Sequence, residues 1–318
     1  MAHHLVLGAG GVGRSTTTHL VARGDTVTLA SRSGVVRDRP WETVPGGTEA
    51  VDVVAVDAAD AEAITRLARG AASIVNAVNP PSYATWDRDW PPVAAAVLTA
   101  AEHSGAGLVT VGNLYVYGEV DAPMREDSPM STTGHKGQIR ARMWQDALAA
   151  HEAGRVRATE LRGSDYFGPL ATPRTSWLNE LVLQVAKGRV FLPVGRATAP
   201  HSWTYQDDVG ALAATLATDD RSWGQVWHVP TVAPRTMQEA AADIADLLGR
   251  PTPRVRVLPR PIGTALGTVV PFLREMRETR HQFERPYVLD SSHTESTFGL
   301  APTPWDVALK ETVAALAR

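Results

Sequence analysis

Cysteine is absent from this chain. Without thiols the protein can form no disulfide bridge, no iron–sulfur cluster and no thiolate zinc site, and it has no cysteine nucleophile. The ten histidines are scattered, and none belongs to an HExxH pair or to a comparable ligand spacing. We therefore expect no catalytic metal.

A broad excess of positive charge is also lacking. The formal net charge is -3 at pH 7, which gives no basic field that would attract the backbone of a nucleic acid. No segment approaches the roughly 20 apolar residues that a membrane span requires, and the first apolar run, residues 3–7, is too short for the core of a signal peptide. We expect neither a nucleic-acid nor a membrane partner, and a cytoplasmic location.

The first part of the chain, to about residue 165, alternates short β-branched runs with longer helical patterns. This alternation is typical of a parallel sheet wrapped by helices, so it predicts the α/β class. The predicted strands occupy residues 4–7, 26–30, 51–56, 73–77, 108–111 and 156–161. The pattern then changes, which predicts a smaller α/β lobe. Its predicted helices occupy residues 177–187, 208–216 and 237–248, and its predicted short strands occupy residues 190–192, 202–205 and 226–229.

Spaced glycines follow the first predicted strand directly and precede a helical run over residues 14–22. Such glycines permit a tight turn, close approach of the backbone to a pyrophosphate and close packing of helix on strand, while the start of the helix donates N–H groups to the anion. The predicted cofactor contacts in this loop are Gly8, Gly10, Gly11, Val12 and Gly13. A generic glycine turn is the alternative, but the order of strand, loop and helix favours a dinucleotide.

We therefore predict a doubly wound Rossmann sheet that binds a dinucleotide over residues 1–165. Residues 166–318 are expected to form mainly a substrate-binding lobe, with some segments returning to the first domain.

The end of the second strand indicates which dinucleotide is bound. Proteins that bind NAD usually carry an acidic residue there for the ribose 2′-hydroxyl. Here Ser31 and Arg32 occupy the place, and a guanidinium can bind a 2′-phosphate in a charge-assisted pair. The alternative is that Arg32 is only a solvent-exposed charge on the loop and binds no phosphate. We expect NADP(H) rather than NAD(H), with Ser31 and Arg32 among the contacts.

Several weak motifs occur in one order along nearly the whole chain: Val56-Asp57, Val75-Asn76-Ala77-Val78, Val116-Tyr117-Gly118, Arg162 through Gly168-Pro169, and Tyr205-Gln206-Asp207-Asp208-Val209. Together they resemble an extended short-chain dehydrogenase/reductase of the NAD-dependent epimerase/dehydratase superfamily. The resemblance implies cofactor contacts from Asp57 and Ala58 at the adenine, from Asn76, Ala77 and Val78 along the cofactor, and from Lys136 and Tyr166 near the nicotinamide. It also implies dimer formation through the helix that begins near Lys136, so a homodimer is an expectation.

Two departures from the family pattern concern the chemistry. Members usually carry a serine or threonine three residues before the "VYG" motif and a YxxxK pair at the start of the next long helix. This chain has Asn113 at the first position and Thr132 with Lys136 at the second. A tyrosine beside a lysine acts as a general acid/base, whereas the threonine hydroxyl cannot ionise near neutrality. The chain thus resembles atypical members that lack the tyrosine.

The missing proton donor leaves several candidates open. Tyr115 and an ordered water held by Lys136 come first, and His135, Tyr166 or a phenol of the substrate are further candidates. Asn113 can polarise a carbonyl oxygen, Thr132 can donate a hydrogen bond, and Lys136 can hold the nicotinamide ribose. We take Asn113, Tyr115, Thr132 and Lys136 as the predicted catalytic set, with packing or solvent exposure as the alternative for each proton donor.

Tryptophan is frequent, with nine residues, and four lie on segments that border the cleft in this architecture. Large rigid aromatic walls suit a bulky, flat, mostly apolar ligand better than a nucleotide-sugar. The predicted substrate contacts are Trp86, Trp90, Trp177 and Trp203. Packing in the core is the alternative, because tryptophan is largely buried on average.

The leading hypothesis is an NADPH-dependent reductase of a ketone, or of an imine, on an aromatic or polycyclic molecule, similar to ketoreductases of natural-product biosynthesis. One alternative is a non-catalytic NADP(H)-binding sensor or regulator, which would explain the loss of the tyrosine. A second alternative is a sugar-nucleotide epimerase or dehydratase, whose reactions usually depend on that tyrosine.

Overall fold

The computed structural model describes residues 1–80, 82–173 and 175–316. These residues divide into two compact units. The first comprises Met1–Asn113, Ile139–Arg162 and Gln206–Val229, and the second comprises Leu114–Gln138, Gly163–Tyr205 and Pro230–Arg318. The chain therefore passes between the two units several times.

A seven-stranded parallel sheet forms the centre of the first unit. Its strands are β1 (His3–Leu7), β2 (Thr26–Ser31), β3 (Val51–Ala55), β4 (Ser73–Asn76), β5 (Gly107–Asn113), β6 (Ala158–Gly163) and β10 (Val226–His228). The strand order is β10-β6-β5-β4-β1-β2-β3. The order reverses between β1 and β4, and ligands of open α/β sheets bind at the carboxyl ends of strands at such a point. The predicted fold class is confirmed.

Helices surround these strands. The helices that contribute to the first unit are α1 (Gly11–Ala22), α2 (Ala61–Leu67), α3 (Trp86–Ser104), α4 (His135–Glu152) and α6 (Gln206–Thr218). Short 3-10 turns occur at Pro40–Thr43, Tyr83–Thr85, Leu114–Tyr117 and Asp220–Ser222. Strand β1 is buried along its inner residues, as expected for a strand covered on both faces.

The second unit contains two small parallel ribbons and seven helices among its described residues. The ribbons pair β7 (Asp165–Phe167) with β9 (Trp203–Tyr205) and β8 (Val190–Leu192) with β11 (Val255–Val257). The helices are α5 (Trp177–Ala186), α7 (Met237–Leu247), α8 (Arg260–Leu266), α9 (Pro271–Thr279), α10 (His281–Glu284), α11 (Ser292–Phe298) and α12 (Trp305–Leu316). Its apolar core includes Leu181, Ile244 and Leu309.

Local sequence signals explain where the helices of the second unit begin and end. Thr236 and Glu239 form a reciprocal capping box at the start of α7. Gly249, with φ +61, follows the end of this helix, a position where glycine is common. Helix α6 begins at Gln206, so Asp207 and Asp208 lie in its first turn, and their charges there complement the helix dipole.

Within the described residues, no helix has both the length and the apolar character needed to cross a bilayer.

His4 makes the stability of the first unit dependent on pH. It is fully buried in β1, and its Nδ1 lies 2.8 Å from the Ser73 hydroxyl. Burial lowers the pKa of His4 below its usual value of 6.5, although Asp25 opposes the shift. His4 therefore binds a proton more readily in the unfolded chain than in the folded protein. Its contribution to the free energy of unfolding is complete above the pKa of the unfolded state, and it is lost as the pH falls toward the pKa of the folded state.

We predict that the free energy of unfolding decreases between about pH 7 and about pH 5, and that His4→Gln weakens this dependence. Denaturant unfolding at a series of pH values measures it. His103→Gln, which changes an exposed histidine, is the matched control and should retain the wild-type dependence. Parallel pH profiles of wild type and His4→Gln would contradict the assignment.

Candidate functional site

The glycine loop after β1 is shaped by backbone packing at the switch point of the sheet. Gly8 has φ +102, a region that residues with a side chain rarely adopt. A Cβ on Gly8 would lie 2.6 Å from the carbonyl oxygen of Ala77, directly after β4. A Cβ on Gly13 would overlap the carbonyl oxygen of Gly8, and one on Gly11 would overlap the Gln206 side chain. Helix α1 therefore packs closely against the end of β1.

Gly10 differs from its neighbours because nothing lies within 4 Å of the position that its Cβ would occupy. It is exposed and forms the N-cap of α1, and as a glycine it has no side chain to cap the helix. Packing within the protein therefore does not explain a glycine here. Open space beside an uncapped helix N-terminus fits the pyrophosphate of a dinucleotide.

The residues predicted to select the dinucleotide, Ser31 and Arg32, lie at the end of β2. The Ser31 hydroxyl accepts a hydrogen bond of 3.1 Å from the N–H of Gly34. Arg32 is exposed. The pKa of Asp89 is lowered chiefly by its hydrogen bond to Arg88, and the charge of Arg32 contributes.

Asp57 and Asn76 take part in local turns. The Asp57 carboxylate accepts the N–H of Ala59 at 3.0 Å, and the half-buried Ala58 lies between them. Asn76 is buried, and its side-chain oxygen accepts the N–H of Val78 at 3.3 Å. Their contacts to a cofactor stay predictions.

Thr132 lies where the family tyrosine is expected, at the approach to α4. Its Oγ1 accepts the N–H of Gly134 at 3.3 Å. A Cβ on Gly118, which has φ +69, would lie 2.9 Å from the Cα of Thr132. The glycine of the "VYG" motif therefore lets this segment approach the Leu114–Tyr117 turn.

Lys136, in the first turn of α4, is held by two carboxylates of α9. Its ammonium lies 3.0 Å from Glu275 and 3.2 Å from Glu278. Its backbone N–H also donates a hydrogen bond of 2.5 Å to Oε1 of Glu278. The lysine side chain is only 8% exposed, and a buried ammonium requires such partners. Glu278 thereby caps α4 and neutralises its lysine.

The tyrosines considered as proton donors have different surroundings. Tyr115 is half-buried and lines a cavity, whereas Tyr117 is fully buried and packs in the interior. Tyr166, in β7, lies against Gly163, whose Cβ would be 2.5 Å from the ring. Asn113 ends β5 and is half-buried. Their catalytic roles stay predictions.

A cavity of about 160 Å³ lies beside Thr132 in the second unit, and we call it the threonine cavity. It brings together residues of the Leu114–Tyr117 turn, the approach to α4, and the end of α9. Its lining residues are Tyr115, Gly118, Glu119, Thr132, Thr133, Gly134, Gly137, Glu278, Thr279, His281 and Gln282.

A larger cavity of about 450 Å³ lies in the same unit, and we call it the arginine cavity. Its lining residues are Glu119, Gly195, Arg196, Leu258, Arg260, Arg280, His281, Glu284 and Arg285. Arg280 bonds to Glu284, and Arg285 lies 3.3 Å from Glu119. Across residues 1–80, 82–173 and 175–316, no carboxylate forms an ion pair with Arg196 or Arg260. Four guanidiniums against two carboxylates make this cavity suited to an anion.

His281 and Glu119 line both cavities, which therefore adjoin. Burial lowers the pKa of His281, and Glu119 opposes the shift. Its Nδ1 lies 3.2 Å from the carbonyl oxygen of Glu278. The imidazole is thus predominantly neutral near neutral pH.

The tryptophans predicted to line a substrate site are mostly core residues. Trp86, Trp90 and Trp203 are at most 3% exposed. The guanidinium of Arg140 lies 3.9 Å from the ring centre of Trp90, and Trp203 donates its indole N–H to the carbonyl of Arg235. These contacts support the packing interpretation for the three. Trp177 is half-buried against Phe283, and its contact with a substrate stays a prediction.

Sequence reasoning missed Glu275, Glu278 and the arginines of the second cavity. A signal was present: two glutamates three residues apart on one helix face, within a charged run of residues 274–280. The charged run does not indicate that its glutamates pair with Lys136, because this lysine lies far away in the chain. Among the described residues, no group of three or more His, Asp or Glu is arranged to hold a metal ion.

A family model described as "NAD dependent epimerase/dehydratase family" matches residues 4–229. The structure resembles a dTDP-glucose 4,6-dehydratase from Streptomyces venezuelae solved with NAD, with a TM-score of 0.79, 19% identity, and coverage of 100% of this chain and 97% of that one. It also resembles a UDP-glucose 4-epimerase from Thermotoga maritima solved with UDP-glucose (TM-score 0.78, 17% identity, 99% and 98% covered). A UDP-glucose 4-epimerase from Thermus thermophilus, solved with NAD, gives a TM-score of 0.74 at 19% identity, with 99% of each chain covered. No curated protein matches the sequence.

Two glycine-to-alanine substitutions, each of which adds one methyl group, test the packing of the glycine loop. We predict that Gly13→Ala destabilises the protein by about 3 kcal/mol, because its Cβ meets the Gly8 carbonyl. Gly10→Ala, at φ -72 in open space, should cost about 1 kcal/mol or less. Denaturant unfolding measures both, and equal losses of stability in the two variants would contradict the packing described here.

Proposed function

Because the chain belongs to the NAD dependent epimerase/dehydratase family, we propose that it is an oxidoreductase that uses a nicotinamide dinucleotide on a nucleoside-diphosphate sugar. The observation that carries the substrate class is the arginine cavity, with four guanidiniums and about 450 Å³ of space. A diphosphate is the anion that planar guanidiniums bind well. The similar structures include one solved with UDP-glucose.

The dinucleotide fits the residues of the first unit. Its pyrophosphate suits the N–H groups of the glycine loop at Gly8, Gly10, Gly11, Val12 and Gly13, where only Gly10 has open space beside it. We assign Asp57 and Ala58 to the adenine, and Asn76, Ala77 and Val78 to the length of the cofactor.

We further propose a preference for NADP(H), carried by Ser31 and Arg32. The cofactor in the similar structures is NAD, so those structures support a nicotinamide dinucleotide in general. The finer preference depends on the exposed guanidinium of Arg32 at the end of β2 and on the lack of a carboxylate at that position.

When bound, the dinucleotide accepts or supplies a hydride at its nicotinamide ring. The chain's own residues must position the substrate and move the proton. We assign Asn113 and Thr132 to hydrogen bonds with the reacting oxygen, and Lys136 and Tyr166 to the nicotinamide side. Thr132 cannot take up the proton, since an aliphatic hydroxyl does not ionise near neutrality.

Reduction of a bulky aromatic ketone, which the tryptophans suggested, now has less support. Three of the four tryptophans are buried in packing contacts, and the cavity of the second unit is lined by arginines. An uncharged polycyclic ketone would offer no anion to Arg196 and Arg260, which form no ion pair with a carboxylate among the described residues.

A second candidate function is a non-catalytic NADP(H)-binding regulator. It is favoured by Thr132 at the tyrosine position and by the two carboxylates that occupy the ammonium of Lys136. Transient reduction of the bound dinucleotide by UDP-glucose, followed by the near-ultraviolet absorbance of reduced nicotinamide, separates the two. Tight dinucleotide binding without hydride transfer, across a panel of nucleoside-diphosphate sugars, would favour the regulator.

We predict that Arg32→Ala weakens NADPH binding about 10- to 100-fold and leaves NADH binding unchanged, because one charge-assisted contact to the 2′-phosphate is lost. Fluorescence titration of both dinucleotides measures the effect. Arg37→Ala, an exposed arginine of the following loop, is the control. An unchanged NADPH affinity in Arg32→Ala would end the argument for NADP(H).

We also predict that Arg196→Gln and Arg260→Gln each weaken UDP-glucose binding about 10-fold, since each removes a guanidinium that can contact the diphosphate. Calorimetric titration of the protein loaded with dinucleotide provides the measurement. Arg250→Gln, an exposed arginine outside the cavity, should bind like wild type. The same affinity in all three variants would reject the arginine cavity as the diphosphate site.

A further inference from the structure

The proton acceptor is the missing part of the proposed chemistry, and the inference that follows rests on that proposed function. Oxidation of a sugar alcohol releases a proton from its hydroxyl, which an ionisable group must accept near the reacting oxygen. Thr132, at the position of the family tyrosine, lacks such a group. The threonine cavity is the space beside this hydroxyl, so a group on its lining would be close to the reacting oxygen.

Four ionisable side chains line this cavity: Tyr115, Glu119, Glu278 and His281. Glu119 is more than half exposed and forms an ion pair with Arg285. The Nε2 of His281 has no solvent-accessible surface, and its Nδ1 faces the Glu278 carbonyl. Tyr115 carries a phenol, which must lose its own proton before it can accept another, whereas a carboxylate accepts one directly. These three are poorly placed or poorly suited to accept a proton.

Glu278 combines a fixed position with access to the cavity. Its Oε1 accepts the backbone N–H of Lys136 at 2.5 Å, and its Oε2 lies 3.2 Å from the ammonium of the same residue. Each carboxylate oxygen has further lone pairs after accepting one hydrogen bond. The side chain is 23% exposed and lines the cavity together with Thr132.

Glu275 provides a contrast one turn earlier on α9. It lies 3.0 Å from the same ammonium and is exposed to a similar degree, 25%. It does not line the threonine cavity. The two glutamates thus share the lysine, but only Glu278 reaches the space beside Thr132.

We propose that Glu278 is the general base of this protein, in the place of the missing tyrosine. The substrate is a secondary alcohol of the sugar. Its carbon–hydrogen bond breaks and the hydride passes to an oxidised nicotinamide dinucleotide, while its hydroxyl proton passes to the Glu278 carboxylate. The products are a ketone, a reduced dinucleotide and a protonated Glu278, and the reverse step returns the proton to the oxygen.

Lys136 has a positioning role in this arrangement. Its N–H and its ammonium hold both oxygens of Glu278, so the carboxylate stays at the cavity wall through both steps. Thr132 donates a hydrogen bond to the same substrate oxygen. The tyrosine–lysine pair of the family is thus replaced by a glutamate–lysine pair whose glutamate comes from α9.

The test compares Glu278→Gln with Glu275→Gln in the full chain loaded with NADP+ or NAD+. Glutamine retains an oxygen that can accept the Lys136 N–H, so the helix cap is kept. We expect Glu278→Gln to slow single-turnover reduction of the dinucleotide by UDP-glucose at least about 100-fold, with UDP-glucose affinity unchanged. Glu275→Gln removes one counter-charge of Lys136 but leaves the base in place, so it should slow the same step by about 10-fold or less, clearly less than Glu278→Gln.

A second measurement separates a base from a structural role. In Glu278→Ala, added formate should restore part of the rate, because a small carboxylate can occupy the vacated part of the cavity, and it should not affect Glu275→Ala.

Equal losses in the two glutamine variants would show that the carboxylates act only through Lys136, and a near-wild-type rate in Glu278→Gln would reject the base outright. If wild type itself binds UDP-glucose and dinucleotide without hydride transfer, the proposed function fails, and the base falls with it.

Discussion

The close approach of Gly13 to the carbonyl oxygen of Gly8 is the contact on which the first unit depends. No side chain fits between the start of α1 and the end of β1, so the helix N-terminus is brought to the point where the strand order reverses. Its uncapped N–H groups and the open space at Gly10 then face the same place. Backbone packing alone therefore sets the shape of the glycine loop.

In the second unit, a buried charge has a comparable organising role. The ammonium of Lys136 is nearly withdrawn from solvent, and α9 supplies both of its counter-charges. Because Glu278 also caps α4, the pair ties the start of α4 to the end of α9. The side chain of Lys136 therefore lies in an environment of carboxylates.

Periodicity and glycine spacing were sufficient for most of the fold. The strands of the sheet lie within a few residues of their predicted positions, and α5 and α7 match theirs closely, because these elements are encoded in local patterns of apolar residues. The tryptophans were a weaker guide. A large aromatic ring suits a core and a ligand wall equally well, and only its surroundings, such as the guanidinium of Arg140 on Trp90, decide between them.

The sequence by itself determined the α/β class, the dinucleotide loop and the absence of thiol chemistry, since each follows from residue types and short spacings. Only the tertiary structure decided what surrounds Thr132 and Lys136, which arginines share a cavity, and which tryptophans are buried. Those contacts join segments such as 132–137 and 275–281, which are far apart in the chain. The contact between these segments depends on how whole helices pack, and a local pattern of residues does not predict that packing.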